Sequence, residues 1–159
     1  MRIGIFAVGK LKQGSERELC ARYVERAKLS GKPLGLTGFD ISEQSESRGS
    51  SADVRKAEEG RAFRASLPEG VIVALDENGK SLASEKFARQ IERWRDDGKP
   101  AVSFVIGGAD GLDPAVIAAA DMTLSFSPLT WPHQLVRIML AEQLYRSVTI
   151  LSGHPYHRE

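Results

Sequence analysis

The chain has a single cysteine, Cys20, in 159 residues, so no internal disulfide and no cysteine-built metal site can form. That usage points to a reducing compartment. The setting Glu18-Leu19-Cys20-Ala21 reads as a helix carrying a small buried hydrophobe rather than a nucleophile. No apolar run approaches the roughly 20 residues needed to span a bilayer, and the opening stretch is too short and too Gly-interrupted for a signal peptide. A soluble, cytoplasmic protein with no membrane partner is therefore expected. Net charge is only +1, so no overall basic field advertises nucleic acid, although 22 Lys and Arg side chains can still gather on one face. Histidine is scarce too, occurring only at 133, 154 and 157. The last two straddle Pro155 and have no cysteine beside them, so no metal site is expected. A G-x-S-x-G nucleophile elbow is also missing, and both metal and serine hydrolases are set aside. What remains, 42% hydrophobic and 27% charged residues, is an ordinary globular composition, most simply a single domain over residues 1–159.

Strand and helix signals alternate along the chain. Arg2–Val8 reads as an apolar strand closed by Gly9, and residues 15–29 as a helix with Leu19, Tyr23 and Ala27 at four-residue steps. Residues 34–41 form a second strand weakened by Gly35 and Gly38, and residues 42–51 (SEQSESRGSS) a polar, mobile loop. A helix from about Asp53 to Ser66 leads to 71–76 (VIVALD), a continuous apolar run typical of a strand buried on both faces. Turn chemistry at Asp76-Glu77-Asn78-Gly79 should end it. Ser84 can cap the next helix, in which Phe87, Ile91 and Trp94 share a face. Then come Ala101–Ile106 (AVSFVI), a short Ala-rich helix at 114–120, a last strand at 122–126 and a helix at 132–147. The pattern predicts an α/β fold, a mostly parallel sheet flanked by helices. Ligands of such sheets sit at the carboxyl ends of the strands. The loops at 75–80, 107–112 and 126–132 are therefore the candidate site.

Each of these loops carries unusual residues. Gly107-Gly108-Ala109-Asp110-Gly111 matches neither the dinucleotide fingerprint nor a P-loop. It reads either as a tight turn needing positive φ or as a surface where backbone meets a ligand closely. Residues 125–132 (SFSPLTWP) set apolar side chains among hydroxyls. This suits either a helix-capping loop, with Thr130 near enough to cap and Pro132 at the helix start, or a slot for a flat heterocycle. His133 and Arg137 fall on one helical face at an N-terminus, where anions are favoured; as isolated residues they would be a surface pair. Glu142, in an apolar stretch, suits a structural acid paired with an arginine, and Asp76 and Asp110 suit turn-formers. The chain ends in Gly153-His154-Pro155-Tyr156-His157-Arg158-Glu159, a set fit for contact with an anionic, aromatic ligand.

Four segments, 104–112 (FVIGGADGL), 129–137 (LTWPHQLVR), 141–146 (AEQLYR) and 154–159 (HPYHRE), together closely resemble the bacterial ribosomal large-subunit pseudouridine N3-methyltransferases, of the SPOUT class of S-adenosylmethionine-dependent RNA methyltransferases. The likeness covers essentially the whole chain. Ala109 stands where such proteins commonly have Pro, and Asp110 where Glu is usual. The resemblance implies a SPOUT-type α/β knot with a deep C-terminal trefoil, a homodimer, and a methyl donor bound by Leu75, Gly107, Gly108, Phe126, Ser127, Pro128, Leu129, Thr130 and Trp131. It implies a substrate in ribosomal RNA, presented within the ribosome, which a small chain of near-neutral charge would otherwise grip poorly.

The chemistry implied is in-line methyl transfer from a sulfonium to N3 of a pseudouridine. The N3 proton must leave, and the charge left behind spreads onto two flanking carbonyl oxygens. Alignment and nearby donors or cations are then what catalysis needs. Arg137, His154, Tyr156 and Arg158 are the candidates for positioning and charge stabilisation, and His133 or His154 for accepting the proton. The rival readings are a non-enzymatic RNA- or ribosome-binding factor with the same fold and, further behind, a phosphate-ester hydrolase cradling an anion on the glycine loop.

Overall fold

A computed structural model describes residues 1–157, so the expectation placed on Arg158 lies outside the described residues. The strands are β1 (Arg2–Val8), β2 (Thr37–Gln44), β3 (Val71–Ser81), β4 (Ala101–Ile106) and β5 (Met122–Ser125). Between and after them run α1 (Ser15–Gly31), α2 (Ala52–Ser66), α3 (Ser84–Asp96), α4 (Pro114–Ala119) and α5 (His133–Leu151). All the strand pairings are parallel, in the order β2-β1-β4-β3-β5.

The period of two within each strand sorts its side chains onto two buried faces. Ile3, Ile5 and Ala7, with Val73, Leu75, Val102, Phe104 and Ile106, face α1, α3 and α5 in the larger core. Val8, Ala74 and Val105 point the other way, against Phe63 of α2 and Val116 of α4. Burial on both sides explains why 71–75 and 101–106 read as unbroken apolar runs. Phe104 is fully buried, with the Phe87 ring edge-on at 5.8 Å, and its truncation to alanine would cost about 3–5 kcal/mol. Trp94 and Ile91 complete the face of α3 expected from their spacing.

Several boundaries differ from expectation. The second strand starts at Thr37 rather than 34, because Lys32–Leu34 wind into a 3₁₀ turn closed by Gly35 at φ 71°. It then bulges against β1, with Gly38 and Phe39 both at positive φ and the Phe39 ring buried. It also runs on to Gln44, so the polar stretch 42–51 opens as strand. The rest of that stretch is tied to α2: Ser47 N–H donates to Glu59 Oε1 (2.8 Å), and Arg55 donates to the Gly49 carbonyl (3.1 Å). A mobile loop was expected from composition; backbone-to-side-chain bonds hold it instead.

The turn at Asp76–Gly79 does not end β3. Leu75 and Lys80 both register against Leu124 of β5, so the four residues between them bulge out and the strand resumes. Gly79 lies against the β5 backbone, where a Cβ would sit 2.7 Å from the carbonyl carbons of Thr123 and Leu124. Ser84 is the first residue of α3 rather than its cap, and its hydroxyl donates to Gln143 of α5 (2.8 Å). Thr130 does not cap α5 either: Pro132 occupies the N-cap with no side-chain bond, and Thr130 Oγ1 donates to Glu77 Oε2 (2.8 Å). Among the described residues no helix is long and apolar enough to cross a membrane.

Candidate functional site

The carboxyl ends of β3, β4 and β5 open into one cleft of about 800 Å³, within the usual range for small-molecule sites. The loops after these strands build it, together with the first turn of α5 and the side chain of Lys56 from α2. Leu75, Gly107, Gly108, Phe126, Ser127, Leu129, Thr130 and Trp131 all line it; Pro128 belongs to the same loop without lining it.

Local bonding fixes each wall. At the β3 bulge, Asp76 Oδ1 accepts from Asn78 N (2.9 Å), the turn-forming role its neighbours suggested. Ser125 Oγ lies 3.1 Å from the Glu77 carbonyl and 2.9 Å from that of Ser127, so its hydrogen serves either one and ties β5 to the bulge. The Thr130–Glu77 bond then anchors the 126–132 loop itself to β3. Leu129 and Trp131 nevertheless stay exposed at the rim, at 65% and 40%.

The glycine loop is shaped mainly by its own backbone. Gly108 and Gly111 form an isolated bridge, with Gly111 N–H donating to the Gly108 carbonyl (3.1 Å). A Cβ on Gly107 would stand 2.6 Å from the carbonyl carbon of Gly111, and one on Gly108 would stand 2.9 Å from the Val8 side chain. Only Gly111 of the three needs positive φ (84°). Asp110, expected to be a turn-former, is held from outside by a two-pronged pair with Arg55 (Nε–Oδ2 2.7 Å, Nη2–Oδ1 3.0 Å). That guanidinium keeps the Asp110 carboxyl below the usual carboxylate range.

His133 begins α5 and lines the cleft, its side chain 16% exposed. Burial pushes its pKa below the ordinary histidine value; Glu46, 3.9 Å from Nε2, pulls it up, and the Arg137 charge pushes it down. A neutral imidazole at neutral pH follows, with a nitrogen free to accept a proton. Arg137, one turn on, is fully buried and is no surface partner of His133. Its Nη1 pairs with Glu43, and its Nη2 donates to the carbonyls of Val8 (3.2 Å) and Gly9 (3.0 Å). It does not line the cleft; it clamps the start of α5 onto the ends of β1 and β2.

Residues 154–157 gather elsewhere. Tyr156 packs its ring on Tyr145 (4.7 Å between centroids) and donates its hydroxyl to Glu142 Oε1 (3.1 Å). Glu142 also receives Arg146, whose guanidinium lies 5.0 Å over the Tyr156 ring. The structural acid expected at 142 thus has its arginine, at the i,i+4 spacing of a helix face. Burial, above all, raises the Tyr156 pKa far above the ordinary phenol value, with Tyr23 and Glu142 adding to it. His157 meets Glu85 of α3 (2.9 Å), while His154 is exposed and accepts the Tyr156 N–H at Nδ1 (3.1 Å). Glu142 lines a separate hollow of about 440 Å³ between α1, α3 and α5, which shares Leu124, Ser125 and Phe126 with the cleft. Neither His154 nor Tyr156 lines the cleft itself. Within one copy of the chain the structure therefore brings the residues expected to hold the donor, Pro128 apart, together with His133, but not with Arg137, His154 or Tyr156.

Sequence reasoning missed Arg55, Lys56 and Glu43. Arg55 and Glu43 reach their partners across 55 and 94 residues, and neither composition nor spacing flags them; Lys56 pairs only with Asp53, three residues away, and it is the fold that brings it to the cleft. Cys20 is buried in α1, as expected, and burial raises its thiol to about 11. Among the described residues no cluster of three His, Cys, Asp or Glu side chains could hold a metal ion.

The chain matches the family model described as "Predicted SPOUT methyltransferase" over residues 1–157. It is 55% identical over 159 residues to "Ribosomal RNA large subunit methyltransferase H" of Rhizobium etli (strain CIAT 652), covering 99% of both chains. It is 56% identical, with the same coverage, to the protein of that name from Rhodopseudomonas palustris (strain HaA2). Among solved structures it resembles in fold a probable methyltransferase from Bordetella pertussis Tohama I (TM-score 0.56, 13% identity, covering 92% of this chain and 95% of that one). It also resembles a probable methylase family protein from Haemophilus influenzae Rd KW20 (TM-score 0.53, 11% identity, covering 99% of this chain and 70% of that one). A parallel sheet flanked by helices, a cleft at the ends of three strands and a family match over nearly the whole length agree: the chain belongs to the SPOUT methyltransferase family.

Proposed function

We propose that this chain methylates N3 of a pseudouridine in large-subunit (23S) ribosomal RNA, using S-adenosylmethionine, on the assembled ribosome. Residues 1–159 act as one domain, in the cytoplasm, as a homodimer. The observation that carries this reading is the cleft at the ends of β3, β4 and β5, formed by the loops assigned to the donor. Its volume suits a nucleoside-sized ligand, its apolar walls at Leu75, Phe126, Leu129 and Trp131 suit a flat heterocycle, and the glycine loop offers backbone groups to its edge. The names of the relatives support the choice of ribosomal RNA. The Gly79 contact, which lays the resumed β3 directly on the β5 backbone, is compatible with the close chain crossing of a deep trefoil knot.

S-adenosylmethionine, when bound, supplies an electrophilic methyl on its sulfonium sulfur. The residues of the chain then have four tasks. The 126–131 loop and the glycine loop hold the donor and exclude water from the methyl. The His133 imidazole, neutral at working pH, accepts the proton leaving N3, a role typically worth 10²- to 10⁴-fold. Arg137 positions α5, and with it His133, through the ends of β1 and β2. The tail residues His154, Tyr156 and Arg158 align the base and stabilise charge on its two carbonyl oxygens. Because Glu142, which holds Tyr156, lies nine residues beyond His133, the anchor is about 13 Å further along α5. In the homodimer that the resemblance implies, a second copy of the chain, approaching with its own tail, completes the site.

The test is tritium transfer from labelled donor to large subunits lacking the modification, followed by mass spectrometry of the target nucleoside. Label confined to N3 of a pseudouridine supports the proposal. Methylation of another atom, or none by protein that binds the donor, would overturn it.

A further inference from the structure

Lys56 is the one lysine or arginine among the described residues lining the cleft. Its side chain is 22% exposed, yet its ion-pair partner, Asp53, is 93% exposed at 3.3 Å. Such a solvated pair contributes little. The lysine is therefore largely withdrawn from water without a buried counter-ion of its own. The carboxylates on the cleft wall do not fill that place. Asp110 has both oxygens taken by Arg55, and Glu77 is bonded to Thr130 on the opposite, β3 side. Lys56 adds only a lesser pull on Asp110. The cleft is thus polarised, with a cation beside the glycine loop and carboxylates at the β3 bulge.

We propose that Lys56 binds the α-carboxylate of the methyl donor, an inference that rests on the donor reading above. The donor has one anionic group, and that group stands at the end of a three-carbon chain from the sulfur. Lys56 can therefore engage it while keeping its own positive charge away from the sulfonium. The carboxylates at the far side then face the ribose hydroxyls, which donate. A phosphate of the RNA is the competing anion. The position of Lys56 inside the donor cleft, next to Gly107–Gly111 rather than on the outer surface, favours the carboxylate.

The experiment is calorimetric titration of wild type, Lys56→Met and Lys56→Arg with two ligands, S-adenosylhomocysteine and 5′-methylthioadenosine. They share adenosine and an uncharged sulfur; only the first carries the amino-acid group. Lys56→Met should weaken S-adenosylhomocysteine roughly tenfold or more, the scale of one charge-assisted hydrogen bond. It should leave 5′-methylthioadenosine within about twofold, and Lys56→Arg should restore most of the loss. Equal weakening of both ligands overturns the inference, since it marks a packing effect. Weakening of neither also overturns it, and if methylation of large subunits then falls in Lys56→Met, the lysine serves RNA. Folded wild type that binds neither ligand overturns the donor reading itself and this inference with it.

Discussion

Arg137 and Glu43, 94 residues apart in the chain, pair at the point where β1, β2 and α5 meet. The guanidinium also holds two backbone carbonyls, and Glu43 Oε1 accepts the Leu11 N–H (2.8 Å), so one pair organises three chain segments around Gly9. A Cβ on Gly9 would stand 3.1 Å from His133 Nε2, which shows how tightly the histidine is set against this junction. Arg137 Nε has no hydrogen-bond partner, so the buried cation is incompletely satisfied.

Two predictions follow for stability. Arg137→Met should cost about 3 kcal/mol, because it leaves the Glu43 carboxylate and two carbonyls without their donor. Adding Glu43→Leu to it should recover part of that loss rather than add to it, since a buried ion pair is often no better than a packed apolar one. Urea denaturation at neutral pH measures both. A double variant as unstable as the sum of the singles would show that the pair is not one unit. Arg137→Lys should not rescue, because a single ammonium cannot span the carboxylate and both carbonyls.

His133 gives a pH dependence whose sign is fixed by burial. Its folded-state pKa lies below the unfolded value of 6.5, so between the two the unfolded chain binds more protons. Stability should therefore rise with pH through that window and fall as pH drops through it, and His133→Gln should flatten this part of the curve. The same protonation should produce an acid limb in single-turnover methylation with its midpoint below 6.5. An acid limb that persists in His133→Gln would assign the proton to another group, His154 first.

How much of this was legible varies with the distance between partners. The runs VIVALD and AVSFVI announce strands buried on both faces because each residue carries the signal itself. Glu142 and Arg146 are legible for a similar reason, since helical periodicity puts them one turn apart. DENGK reads as the end of a strand, and locally it is a turn; only the return of Lys80 to the same β5 residue that Leu75 meets makes it a bulge. Thr130 reads as a cap because its sequence neighbours say so, but Glu77 competes for its hydroxyl across 53 residues. Arg137 and Glu43 have no local signature at all.

The separation between cleft and tail predicts complementation. His133→Gln, in the cleft, and Tyr156→Phe, at the Glu142 anchor, should each be nearly inactive on ribosomes, and Tyr156→Phe should bind the donor normally. If each tail serves the other copy's cleft, mixing the two variants leaves mixed dimers with one intact site. Random exchange should then restore about a quarter of wild-type activity. No restoration, with dimer exchange verified by mass, would place the tail in the cleft of its own chain.

Glycine at 107 and glycine at 111 are required for different reasons, and that difference can be measured without a ligand. A methyl at 107 would meet the backbone of Gly111 at 2.6 Å, and backbone cannot swing aside as a side chain can. Nothing lies within 4 Å of a methyl at 111, where the demand is only the positive φ of 84°. Gly111→Ala should therefore cost about 1 kcal/mol, the ordinary penalty for a left-handed alanine, and keep donor binding within a few fold. Gly107→Ala should open the Gly108–Gly111 bridge, destabilise the free protein by more than the 111 variant does, and weaken donor binding well beyond it. If Gly107→Ala instead left the free protein as stable as wild type while abolishing binding, the glycine would be there for the ligand and not for the turn.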